Sequence, residues 1–373
     1  MIRILHFITD KNIGGAGNLL CAQIQNMNPK KFDITVALPH ESELIKKLRP
    51  LPCKIVTFKH GGDRSFSLLN LFECYRIIQK VRPDIVHSHG SLSSRIASTI
   101  LRIKSRIFTK HCAFNMHKTT IFFDFSRVFG GFNNLLSTSI IAVENSAKKE
   151  LIKMGCNPKK ITTIVNGASQ IRPFSEEEKA FYKAKYGLEK DDFVISYFAR
   201  LEEYKGHKTL LEAAKICQKS HPNFKFFIVG NGSQKENLQS YAKDLKIEDS
   251  VDFIGFLEDV SPIFNLTNLN VNCSFLSETA SLSISEGFSL GLPCVATNIG
   301  GNPYMLKNES CGLLFEAQNP NSLAQAICKL YTDKKLYKNC SLCASIRYAE
   351  ELNDKIMTKK LENLYSKANQ KES

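Results

Sequence analysis

No stretch of about 18 apolar residues occurs in the chain, so no membrane-spanning helix is expected. Nothing in it is of low complexity, and no period of solenoid length recurs, which excludes a repeat architecture. The twelve cysteines form no framework of paired spacings. Several, such as Cys21, Cys217, Cys273 and Cys294, sit inside apolar runs, as free buried thiols of a reducing compartment do. "CSLC" at 340–343 has redox or zinc spacing but neither a second pair nor a neighbouring histidine. The start, "MIRILHFITDKNIGG", turns polar by Asp10 and reads as a first strand in place of a signal peptide. Acid is scarce in one half. Residues 1–170 hold 10 Asp and Glu against 25 Lys and Arg, while the other 203 residues hold 26 against 25. The whole formal excess of +14 therefore belongs to the first half, which is expected to meet something anionic: lipid headgroups, a phosphorylated acceptor or nucleic acid.

What is present is the pattern of an α/β protein. At 373 residues, two domains are expected. Short β-rich runs ("RILHFIT", "FDITVAL", "KIVTF", "DIVHSH", "RIFTKH", "SIIAVE", "TTIVNG") alternate with helical stretches in the first half. A second series follows a polar linker ("FVISYFAR", "FKFFIVGNG", "VDFIGF", "LNVNCS", "PCVAT", "CGLLF"). Alternation of this kind predicts two parallel, doubly wound sheets in tandem, with a ligand in the cleft between them at the carboxyl ends of the strands. The domains are placed at 1–170 and 171–355, with a last helix over 356–373 returning to the first.

The unusual residues collect at those strand ends. "NIGGAG" follows the first strand and opens a helix, lacking the Gly-x-Gly-x-x-Gly order of a dinucleotide site. "ARLEEYKG" places Arg200 and Lys205 after the first strand of the second series, as a diphosphate clamp would. "DIVHSHG" puts His87 and His89 on one face of a strand end, and "FTKHCA" adds His111; a lone histidine of this kind, His87 above all, is more often a packed core residue. "SETASLSISEGFSLGLPCVATNIGG" sets Glu278 and Glu286 eight positions apart around a predicted helix start, capped by Ser281 or Ser283 and stopped by Gly291. As helix the interval is about 12 Å, close to the reach of a diphosphate bearing a sugar at each end, and the free N–H groups of a first turn seat a phosphate.

Taken in order, these motifs, with "VNG" before the linker, "IVGNGSQKENLQ" and "VDFIGFLEDV", resemble those of the retaining glycosyltransferases of family 4, with the GT-B fold, over about residues 1–365. The resemblance implies two Rossmann-like domains facing each other across a cleft, and transfer of a sugar from a nucleotide-diphosphate sugar, UDP-linked or GDP-linked, to a glycan or lipid-linked acceptor of bacterial lipopolysaccharide, capsule or a related surface glycan. It implies that Glu286 binds the ribose. Glu278, with the N–H groups of Thr279, Ala280 and Ser281, would hold the transferred sugar. Leu282 and Ser283 would cradle the distal phosphate, Arg200 and Lys205 would neutralise the diphosphate, and the base would lie near Phe256 and Leu257. From the first domain, the Gly14–Gly15–Gly17 loop would close over the phosphates, His111 would touch the donor sugar, and His89 is an acceptor-side candidate. With no Asp-x-Asp in the chain, neither metal nor cofactor is expected. Tyr304 stands where many relatives carry an acid. The basic first domain is expected to dock on the inner face of the cytoplasmic membrane through Arg102, Lys104, Arg106, Lys110 and Lys118, interleaved with Phe114, Ile121, Phe122, Phe123 and Phe125. The alternatives are a sugar-nucleotide epimerase or phosphorylase of the same fold, and a basic nucleic-acid-binding protein.

Overall fold

The computed structural model describes residues 1–111, 125–276 and 278–370. The chain divides into two compact units, Met1–Gly167 with Asp354–Ser373, and Ala168–Asn353. The junctions thus fall at 167/168 and 353/354, two or three residues before the positions read from the sequence.

The first unit is built on seven strands: β1 (Ile2–Ile8), β2 (Phe32–Pro39), β3 (Cys53–Phe58), β4 (Ile85–His89), β5 (Ser105–Lys110), β6 (Ser139–Ala142) and β7 (Ile161–Thr163). All pair in parallel, in the order β3-β2-β1-β4-β5-β6-β7. The second unit repeats the scheme with β8 (Phe193–Phe198), β9 (Phe224–Val229), β10 (Val251–Gly255), β11 (Leu269–Asn272), β12 (Cys294–Thr297) and β13 (Gly312–Phe315), in the order β10-β9-β8-β11-β12-β13. Parallel strands covered by helices on both faces need apolar side chains on both, which is why "IRILHFI" and "FKFFIV" are near-continuous apolar runs. In both sheets the order reverses beside the first strand, between β1 and β4 and between β8 and β11. A crevice opens at the carboxyl ends of the strands at such a switch point.

Each sheet has its own core. Leu5, Phe7, Val86 and Ala97 pack with Ile77 and Ile78 in the first unit. Tyr197, Phe224, Phe226, Leu210, Val271 and Phe315 do so in the second. The last helix, Asp354–Gln370, belongs to the first unit. There Gln23 Nε2 lies 3.7 Å from Met357 Sδ, and Glu362 accepts from the Asn28 N–H at 2.7 Å. All cysteines among the described residues are free; Cys217, Cys273 and Cys294 are buried, whereas Cys21 is half-buried.

The segment expected to face a membrane is partly turned inward. Lys110 is buried, its ammonium 3.5 Å from Glu150, and Arg106 donates to the carbonyls of Ile103 and Leu136. As alternate residues of a strand covered on both faces, they serve the protein's own carbonyls and carboxylates before any lipid. Arg102 and Lys104 are exposed. Phe114, Lys118, Ile121, Phe122 and Phe123 lie outside the described residues, as does the side chain of Phe125. Among the described residues no helix is long and apolar enough to cross a membrane.

Candidate active site

At the switch point of the second sheet, the turn after β8 brings Lys205 to the segment after β11. Lys205 Nζ lies 2.9 Å from Glu278 Oε2, with both side chains largely buried. The carboxylate and ammonium assigned to sugar and diphosphate are thus a single charged pair at the head of the sheet. The fully buried Tyr197 fixes the turn by donating its hydroxyl to the Lys205 carbonyl at 2.7 Å. Arg200 is exposed, and its guanidinium bonds the Tyr204 hydroxyl.

The helix after β11 runs over Leu282–Ser289. Ser281 occupies its N-cap position but makes no capping bond, contrary to the expectation that Ser281 or Ser283 would cap it. The Ser281 hydroxyl instead lies 3.1 Å from that of Ser283 and 3.3 Å from Asn272 Nδ2. The first-turn N–H groups, Leu282 and Ser283 included, therefore lack a side-chain cap from Ser281, which is the state in which a helix start takes an anion. Glu286 is the fifth helical residue, just over one turn in. Because Glu278 to Ser281 precede the helix, the helical rise does not measure the span between the two glutamates.

The turn carrying Glu278, Thr279 and Ala280 rests on a glycine floor. Gly300 has φ +58, and a Cβ there would stand 2.1 Å from the Glu278 carbonyl oxygen; one on Gly301 would stand 2.3 Å from that of Thr279. The Gly301 N–H donates to the Glu278 carbonyl at 3.1 Å. Asn270 Nδ2 donates to the Ser283 carbonyl at 2.9 Å, and Thr297 Oγ1 to that of Ser274 at 2.6 Å. No role for Asn270, Asn272, Thr297, Gly300 or Gly301 was read from the sequence, although "NIGG" stood in the quoted motif. Phe256, 62% exposed, and Leu257 follow the glycine that ends β10. Tyr304 bonds the Glu351 carboxylate, and the Arg347 guanidinium stacks 4.6 Å over its ring. It is locked into a structural network at the place of the family's acid.

In the first unit, Gly14 is the extended N-cap of the helix Gly15–Asn26, which has no side-chain cap. Gly17 is buried, and a Cβ there would approach the Leu44 side chain to 3.0 Å, so close packing on Leu44 favours a glycine at this position. The strand-end histidines form a row. His111 Nε2 lies 2.9 Å from His89 Nδ1, and His89 Nε2 lies 3.0 Å from His6 Nδ1. His87 sits beside them as a core residue, 2.7 Å from Thr109 Oγ1 and 2.6 Å from the Tyr365 hydroxyl. His6 took no part in the sequence argument because register alone brings it beside His87. Burial holds all four neutral, pushing His6 down to about 3 and His111 to about 4, with His87 and His89 well below the usual range.

Among the described residues, only His6, His87 and His89 have the convergence of a metal site, each offering a ligand atom within 4.8 Å of the others. Of their ring nitrogens all but His6 Nε2 already have hydrogen-bond partners, so five of the six are engaged within the protein as neutral imidazoles.

Two Rossmann-order sheets, one with a cation, a carboxylate and an uncapped helix start at its switch point, are the parts of a GT-B glycosyltransferase. The model for Glycosyltransferase Family 4 matches residues 13–169, and that for Glycosyl transferases group 1 matches residues 178–344. The UDP-Gal:alpha-D-GlcNAc-diphosphoundecaprenol alpha-1,3-galactosyltransferase of Escherichia coli is 30% identical, over 74% of this chain and 76% of its own. The capsular polysaccharide biosynthesis glycosyltransferase CapM of Staphylococcus aureus is 23% identical, over 98% and 97%. Among solved structures, Anabaena HepE in complex with UDP-glucose superposes with a TM-score of 0.83 at 19% identity, covering 98% of this chain and 100% of that one. The chain belongs to the family 4 glycosyltransferases and has their GT-B fold.

Proposed function

We propose that the protein is a retaining, metal-independent hexosyltransferase that moves a sugar from a UDP-sugar to a lipid-linked or glycan acceptor in the synthesis of a bacterial surface polysaccharide. The observation that carries this is the Lys205–Glu278 pair standing at an uncapped helix start. Breaking the anomeric C–O bond leaves positive character on the sugar and an additional charge on the diphosphate. Lys205, Arg200 and the N–H groups of Leu282 and Ser283 supply fixed positive charge where that charge develops. Glu278, with the N–H groups of Thr279 to Ser281, holds hydroxyls of the sugar, and Glu286 takes the ribose. Phe256 and Leu257 border the base. In the first unit, Gly14 and Gly15 start a helix open to phosphate, His111 at one end of the histidine row serves the donor sugar, and His89 next to it serves the acceptor side. The acceptor hydroxyl attacks on the face the phosphate leaves; its proton passes to a phosphate oxygen as the C–O bond breaks. A UDP-sugar is favoured because the E. coli relative is named for UDP-Gal and HepE was solved with UDP-glucose. The acceptor class is taken from the same relative, whose name carries a diphosphoundecaprenol, and a lipid-linked acceptor of that kind supports a location at the inner face of the cytoplasmic membrane.

The test incubates the protein with UDP-sugars, EDTA and a GlcNAc-diphospho-lipid, and follows UDP release and the anomeric configuration of the product. UDP release that needs the acceptor, survives EDTA and yields the donor's configuration is expected. Inversion, dependence on added Mg²⁺ or Mn²⁺, or release without an acceptor would overturn it.

A further inference from the structure

Four large apolar side chains stand exposed within seven residues of the first unit: Phe66 at 44%, Leu68 at 65%, Leu69 at 58% and Phe72 at 65%. They lead into the helix Leu68–Val81, which buries Asn70, Cys74, Ile77 and Ile78 against the sheet. The opposite face presents Leu69, Phe72, Arg76 and Lys80 at steps of three and four residues, one continuous stripe. The stripe is apolar over its first turn and cationic over its last two, with Arg64 and Arg82 exposed at either end. The two acids of the segment are engaged by backbone: Glu73 accepts from the N–H groups of Lys59 and His60, and Asp63 from that of Lys11.

The loop before this helix is tied to the end of β4, where the switch-point crevice opens. Ser65 Oγ donates to the Gly90 carbonyl at 2.7 Å, and the Ser65 carbonyl accepts from the N–H groups of Leu92 and Ser93. The patch is therefore held beside His89, at the acceptor-side edge of the sheet.

We propose that Phe66, Leu68, Leu69 and Phe72 enter the surface of an anionic lipid bilayer, with Arg64, Arg76 and Lys80 on its headgroups, and so set the crevice of the first unit against the membrane. It rests on the acceptor side lying in this unit. Apolar area with a neighbouring cation cluster is what stable interfacial binding requires, since neither signal alone suffices. Sign favours the lipid over a neutral partner, because the net positive charge of the chain lies in residues 1–170.

Vesicle flotation of the full chain tests it, with phosphatidylcholine alone and with added phosphatidylglycerol. Binding is expected only with the anionic lipid. Arg76→Ser with Lys80→Ser should weaken it about 25-fold, at about fivefold for each cation. Leu69→Ser with Phe72→Ser should abolish it while leaving transfer to a short-chain, water-soluble acceptor and the melting temperature unchanged. Arg102→Ser with Lys104→Ser should matter little, as should Phe132→Ser with Leu135→Ser, two exposed apolar residues of the helix Phe125–Leu136 elsewhere in the first unit. Equal binding to neutral vesicles, no binding to anionic ones, or loss in these last variants but not in Leu69→Ser with Phe72→Ser overturns the assignment. Absence of transfer to any acceptor with vesicle binding intact would instead overturn the proposed activity alone.

Discussion

Acidification should unfold this protein well above the carboxylate range, because its buried histidines are neutral. His6, His87, His89 and His207 are at most 4% exposed. Burial pushes His207 down to about 4 and His6 to about 3, and His87 and His89 well below the ordinary value. A base whose folded value is lowered binds its proton more readily in the unfolded chain, so stability falls as pH drops below about 6.5. The loss runs on until the folded value is reached, near 4 for His207 and near 3 for His6. Between pH 7 and 5, each group with a folded value of 4 or below loses about 2 kcal/mol of folding free energy. His207 and His6 together lose about 4 kcal/mol, a large part of the about 5–15 kcal/mol that holds a typical domain together, and His87 and His89 act in the same direction. Three of the four lie in the first unit, which should open first. Urea unfolding at pH 7, 6 and 5, with hydrogen exchange to separate the units, measures this. His207→Leu should reduce the proton uptake by about one and leave the first unit's acid sensitivity intact. A free energy flat from pH 7 to 5, or earlier opening of the second unit, would refute the buried neutral state.

At the proposed donor site, Lys205→Ala and Glu286→Ala should each weaken UDP-sugar binding by about 1.5–3 kcal/mol, the worth of one charge-assisted contact, with the fold retained. Calorimetric titration reads this, and unchanged affinity in both would remove the assignment of the nucleotide to the second unit. Gly300→Ala puts a methyl where the Glu278 carbonyl stands, at a positive φ, and should cost about 1–3 kcal/mol of stability together with donor affinity. A variant with wild-type melting and wild-type affinity would show that the floor under Glu278 carries no strain.

The two sheets were legible because a parallel strand covered on both faces has one requirement, apolar side chains throughout, and "RILHFIT", "FVISYFAR" and "FKFFIVGNG" meet it locally. The residues proposed for the donor site stood out as types in an order: Arg200 and Lys205 follow β8, Glu278 precedes the helix Leu282–Ser289, and Glu286 lies within it. What they do to one another was not. Lys205 and Glu278 are 73 positions apart, and nothing local shows that β8 and β11 are neighbours and bring them to 2.9 Å. Gly300 escaped for the same reason, because its partner is a carbonyl from the segment after another strand. The docking helix shows the limit of periodicity itself. "FSLLNLFECYRIIQKV" is apolar on two sides, and either side could have been the buried one. The sheet took Cys74, Ile77 and Ile78, which left Leu69 and Phe72 outside; Lys110, read as a surface cation, went the other way and is buried at the end of β5. In both places the missing information was which face the neighbouring element covers. A surplus apolar face that survives folding marks a contact that the described residues do not make with one another, and here it stands beside the end of β4, the edge proposed for the acceptor.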